Sequence, residues 1–212
     1  MVSLDASLVA VCGGFIGQYA PFQSIHIQPS SSGVLVMASD HGRITVIGHD
    51  ARGRGDAAAT IVPSSELLKA CGALKTARRE VLIEGDTATV ITYRKTTADE
   101  RRVIPVIHAS TPFPPIGPAL VASIERWGAT PQLSATAGRY ETAFLEKAIK
   151  TVGVCAPSLV LSCFDGGPLR LQSETIDICV LVMPQAAEPI PAVPTWIQEF
   201  AASCDCQSGH PG

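Results

Sequence analysis

The chain has 212 residues, 46% of them hydrophobic and 17% charged, with 16 Lys and Arg against 19 Asp and Glu for a formal net charge of -3. That length builds one large or two small domains around a real core, and the composition excludes a disordered chain. The acidic balance excludes a simple polybasic nucleic-acid binder while leaving room for one basic face, and no apolar run reaches the length of a membrane span.

In chain order, Leu4, Leu8, Val11 and Phe15 fall at helical spacing, and this N-terminal segment lacks the basic region of a secretion signal. Residues 24–28 alternate as a strand. Residues 33–48, GVLVMASDHGRITVIG, predict a hairpin. Val34, Val36 and Ala38 alternate before its turn, and Ile44, Val46 and Gly48 after it. Asp40-His41-Gly42 supplies residues that tolerate left-handed dihedrals. Arg43 follows at once, a cation at the rim of an apolar hairpin. Residues 50–56, DARGRGD, read as a loop, and its Arg-Gly-Asp string is common by chance. Residues 57–62 are strand-like. Ser64 is a plausible N-cap for a helix with Glu66 in its first turn and Leu67, Leu68, Cys71 and Leu74 on its apolar face. Residues 79–84, 87–94 and 101–108 read as strands, the last with Pro105 marking an edge or a bulge. Residues 110–118 carry four prolines and end the first unit.

A short helix at 119–127 and a short strand at 132–136 follow. Residues 139–152, RYETAFLEKAIKTV, give the clearest helix, with Tyr140, Phe144, Leu145, Ala148 and Ile149 on one face and Glu146 and Lys150 spaced for an i,i+4 pair. Strands are expected at 158–163, 169–172 and 176–183, with a turn at Asp165-Gly166-Gly167. From residue 185 the chain is rich in Pro and Ala, with a possible short helix at 196–202.

Cys12, Cys71 and Cys179 sit in apolar periodic segments, as small core residues of a reducing cytoplasm do. Cys204, Cys206 and His210 are too few and too poorly spaced to predict a metal centre. There is no P-loop, no G-x-S-x-G and no placed carboxylate pair, so neither an enzyme nor a cofactor is predicted.

Several of these stretches share a resemblance. The 33–48 hairpin resembles the ATDGHRL-type hairpin of bacterial DNA sliding clamps, the beta subunit of the replicative polymerase, with His41 and Gly42 in reversed order. Residues 171–184, LQSETIDICVLVMP, resemble the closing strands of those clamps, which end in a VMP-type sequence. The 139–152 helix is similar to the RYLLDALKAL helix of their last domain. Phe113-Pro114 matches the Phe-Pro where a clamp domain closes, although the aromatic and the arginine pair that usually follow are absent. The resemblance covers most of residues 4–185 and rests on the order and spacing of several motifs.

The resemblance implies an α+β DNA-clamp fold, with antiparallel sheets outside and helices on one face. It divides the chain into a full domain at 1–118, a reduced one at 119–185, and a linker and tail at 186–212 that ordinary bacterial clamps lack. It implies a homo-oligomeric processivity factor, trimer or tetramer, that encircles double-stranded DNA without reading sequence. Lys69, Lys75, Arg78, Arg79, Arg139, Lys147 and Lys150 are the phosphate-binding candidates; each reads equally well as a solvated surface charge. It also implies a hydrophobic cleft for peptides of the polymerase and the clamp loader, lined by Phe22, Ser39, Gly42, Arg43, Ile44, Pro114, Leu181 and Met183. Phe22, Ile44 and Leu181 also read as plain core. The alternative is an interaction module that kept the cleft and lost the ring.

Overall fold

The structure, a computed structural model, describes residues 1–72, 77–95, 97–116, 138–156, 158–162, 167–173 and 175–185. The predicted elements at 119–127 and 132–136, the turn residues Asp165 and Gly166, Lys75, Leu74 and everything from residue 186 onward lie outside them.

The first half is built from one unit used twice. β1 (Val2–Asp5), α1 (Ala6–Gly13), β2 (Ile25–Ser30), β3 (Gly33–Asp40) and β4 (Ile44–Asp50) form the first copy. After the two-residue β5 (Arg54–Gly55), the second copy runs β6 (Ala59–Val62), α2 (Ser65–Cys71), β7 (Arg78–Glu84), β8 (Thr87–Arg94) and β9 (Thr97–Pro105). Each copy lends its first strand to the other. β1 pairs with β7 and β6 with β2, so neither copy completes its sheet alone. The two-residue β10 (Ile107–His108) pairs with β6. A third set follows: α3 (Thr142–Gly153), β11 (Leu159–Ser162), β12 (Leu169–Ser173) and β13 (Ile178–Val182).

All described strand pairs are antiparallel. They form a five-stranded sheet, β5-β1-β7-β8-β9, and an eight-stranded one, β10-β6-β2-β3-β4-β13-β12-β11. The second sheet runs across the proposed domain boundary, because β4 pairs with β13 over Ile44↔Val182 to Gly48↔Ile178. Alternation sorts its two faces. Val34, Val36, Ala38, Ile44, Val46, Val180 and Val182 point to the helices and are buried in a core that also takes Val9, Cys12 and Phe15. Met37, Ser39, Thr45, Ile47 and Leu181 point the other way. No described helix is long and apolar enough to cross a membrane.

Three expectations are corrected. The N-terminal helix starts at Ala6, not Leu4: Val2 and Leu4 alternate as a strand, and Asp5 caps the helix by accepting from the Ser7 backbone amide. The loop after Asp50 contains β5, which pairs with β1. The late helix begins at Thr142, and its buried stripe is Phe144, Ala148 and Val152, while Ile149 is 53% exposed. A single sheet lies under this helix, so one narrow i, i+4, i+8 stripe suffices.

Candidate functional site

The hairpin between β3 and β4 ends in a tight turn. His41 (φ 51°) and Gly42 (φ 71°) both take left-handed dihedrals, and the Arg43 amide donates to the Asp40 carbonyl at 3.0 Å. This is the turn whose twist matches an antiparallel pair. Ser39 braces it from inside: its Oγ accepts from the Gly42 amide at 3.2 Å and lies 3.0 Å from Thr45 Oγ1. Beside the tip, the Gly17 amide donates to the Phe22 carbonyl at 2.7 Å. A Cβ on Gly17 would come within 2.9 Å of Phe22 Cβ and 3.2 Å of Asp40 Oδ1, so this close seat requires glycine. Phe22 rests against His41 with ring centroids 4.8 Å apart.

A cleft of about 260 Å³ opens between this tip, the end of β13 and the segment after β10. Phe22, Ser39, Gly42, Pro114, Leu181 and Met183 line it, as the resemblance implies, together with Thr45, Ile47, Pro115 and Ile116. The floor follows from register: Leu181 sits opposite Thr45, and Ile47 opposite Cys179, on the face away from the helices. The wall of prolines is anchored by Phe113, whose ring stacks on His26 at 5.3 Å and 11° between planes. His26 Nδ1 lies 2.8 Å from Thr60 Oγ1, and burial pushes its pKa down, which keeps the ring neutral. Ile44 belongs elsewhere. It alternates with Thr45 and is fully buried on the helix side.

Charge gathers where the turn meets α3. Asp40 lies 3.3 Å from Lys147 Nζ and 3.5 Å from Arg43 Nη2. The Arg43 guanidinium also lies 5.0 Å over the Phe144 ring. None of the three lines the cleft: Asp40 alternates with the helix-facing Ala38 and Lys147 stands on α3, so Arg43, expected in the cleft, turns instead towards the helix side of the hairpin. Met183 is fastened by its amide to the Arg43 carbonyl at 2.9 Å, and Gln185 likewise to the Arg139 carbonyl at 2.9 Å.

The six described phosphate-binding candidates are dispersed, and Lys75 lies outside the described residues. Arg78 and Arg79 stand on β7, not on a helix. Arg78 shares the face of Glu80, 3.2 Å away, opposite to that of the buried Val81. Arg79 donates to the Gly72 carbonyl at 2.9 Å and to Thr92 Oγ1 at 3.3 Å. Lys147 is tied to Asp40, and Lys150 to Glu146 at 2.5 Å. Lys69 is exposed on α2, Arg139 precedes α3, and α1 carries no charged residue. No group of three or more potential metal ligands occurs among the described residues.

The sequence missed Thr45, Ile47, Pro115 and Ile116. The outward alternation of β4 carried the signal for the first two.

No family model and no curated protein matches this chain. Solved structures do. PCNA of A. fulgidus, with the C-terminal region of FEN-1 bound, aligns with 89% of this chain and all of its own at 13% identity and a TM-score of 0.58. PCNA of Thermococcus kodakaraensis aligns with 87% of this chain and all of its own at 15% identity and a TM-score of 0.55. The DNA polymerase III beta subunit of Borrelia burgdorferi matches 89% of this chain at 9% identity and a TM-score of 0.55, with 65% of its own length covered. With its antiparallel sheets, its helices on one face and its hairpin-edged cleft, this chain has the fold of the DNA sliding clamps.

Proposed function

We propose that the chain is a clamp-like binding protein that receives short extended peptides, of the kind carried by replicative polymerases and clamp loaders, in the cleft beside the 40–43 turn. The observation that carries this reading is the cleft itself. It is apolar and smaller than the ~300 Å³ of typical ligand pockets, so it suits one or two anchoring side chains. Met183, half-exposed and unbranched, forms an adaptable wall. The FEN-1 complex of A. fulgidus PCNA supplies a precedent on the same fold for holding a terminal segment of a partner. Fluorescence anisotropy with a polymerase-derived clamp-binding peptide tests it. With Trp196, Ile197 and Phe200 replaced by Ser in both proteins, binding is expected to weaken about tenfold in Met183→Glu, and equal affinity of the two refutes the reading.

A second reading, a processivity ring around duplex DNA, is favoured by β9. Among the described residues this nine-residue strand is the longest with one side unpaired, a ready edge for another subunit. Exposed Lys69 and Lys150 on α2 and α3 would then meet phosphates. A ring stays on circular DNA and slides off linear DNA, whereas equal retention on both excludes it.

A further inference from the structure

We propose that the cleft is filled, in the resting protein, by the chain's own C-terminal tail, through Trp196, Ile197 and Phe200. The inference rests on the peptide-binding reading of the cleft and adds its first occupant. Three observations point to it.

The first is continuity. β13 supplies Leu181 to the floor and leads straight into Met183 on the wall, so the chain leaves the described structure at the lip of the cleft. Gln185 is held there by its bond to the Arg139 carbonyl. The second is reach. The segment from Gln185 to Trp196 contains Pro189, Pro191 and Pro194. In a polyproline conformation it extends about 30 Å, enough to turn back over the lip and too stiff to dissipate its anchors in a large volume. The third is charge. Residues 186–212 carry Glu188, Glu199 and Asp205 and no Lys or Arg. Arg43, more than half exposed, follows directly on the cleft-lining Gly42. Glu199 stands between Ile197 and Phe200, so apolar anchoring in the cleft and ion pairing at its rim come from one short stretch.

A linker of this kind gives a local concentration on the order of 1 mM, so a tail whose own affinity is about 0.1 mM fills the cleft about 90% of the time. External peptides then bind only as the tail leaves.

The test keeps the full chain. In one variant Trp196, Ile197 and Phe200 are all replaced by Ser, and a labelled polymerase-derived clamp-binding peptide is titrated against it and the wild type by anisotropy. The variant is expected to bind about tenfold more tightly; equal affinity overturns the proposal. If neither protein binds the peptide, the peptide reading fails while the tail is still decided by a second measurement. The chain has two tryptophans, Trp127 and Trp196. In Trp127→Phe the emission of Trp196 is expected to be blue-shifted, and adding Met183→Glu at the cleft wall shifts it to the red. Emission that is water-like from the start, or unmoved by Met183→Glu, overturns the proposal.

Discussion

Two glycines with positive φ show how much a single residue's surroundings decide. Gly42 (φ 71°) has no atom within 4 Å of where a Cβ would stand, while at Gly33 (φ 138°) a Cβ would lie 2.1 Å from the Asp50 carbonyl oxygen. Gly42→Ala therefore meets only the left-handed penalty of about 1 kcal/mol, and Gly33→Ala adds a backbone clash that β3 and β4 must separate to relieve. Urea unfolding should show Gly33→Ala as the more damaging by at least about 2 kcal/mol. The buried thiols set a second expectation. Burial pushes Cys12 and Cys71 up to about 12. A folded pKa above the unfolded value of 9.0 means that the stabilisation is complete below pH 9 and is lost as pH rises from 9 towards 12. Each thiol contributes a slope of about 1.4 kcal/mol per pH unit in that window. Cys12→Ala should lower stability at pH 8 yet lose less between pH 9 and 10 than the wild type, measured by urea unfolding at each pH. Parallel losses would show that Cys12 stays un-ionised in both states.

At the scale of elements, the link between α3 and the hairpin is the most consequential. Lys147 reaches Asp40 across from the helix, with both side chains at least two-thirds buried, whereas Lys150 pairs with Glu146 on the exposed face of the same helix. Lys147→Glu puts a carboxylate against Asp40 and should cost on the order of 1–2 kcal/mol, measured as a fall in the urea midpoint. Lys150→Glu should leave the midpoint almost unchanged. If α3 meets DNA, the same Lys150→Glu should also reduce the salt slope of binding by about one unit. The contrast also marks what the sequence could tell. The hairpin was legible because strict alternation around Asp40-His41-Gly42 is a local signal, and so were Ser64 as a cap and Phe22, Leu181 and Met183 as lining residues through the resemblance. Ile44 was misplaced onto the cleft because neighbouring residues of one strand face opposite ways. The ion pair of Lys147 with Asp40 was illegible: it depends on how a helix packs against a turn more than a hundred positions earlier, and no periodicity encodes that. The buried stripe of α3 was read one step too wide for the same reason, since spacing reports apolar residues and not which of them a single sheet can cover.

At the scale of the whole molecule, sheet edges decide where a further strand can pair. β4 is already paired with β13 inside the chain, so it is closed to another subunit, while among the described residues β9 is paired on one side only, with Val103 65% exposed on it. If the chain assembles through this edge, Val103→Lys, which places a charge where a second strand would lie, should shift light-scattering mass towards the monomer without lowering the thermal midpoint. An unchanged mass would place the contact elsewhere. The pairing of β4 with β13 has a consequence for synthesis. Ile44 leaves the ribosome long before Val182, and at 5–20 residues per second the interval is roughly 7–30 s. During that time the edge of β4 is bare, Thr45 and Ile47 have cross-strand neighbours only on β3, and the far side of the cleft does not yet exist. The nascent chain thus spends this aggregation-prone interval without a formed cleft. The cleft forms only when β13, the last described strand, pairs with β4, so if the cleft takes a peptide, binding reports that this pairing is in place.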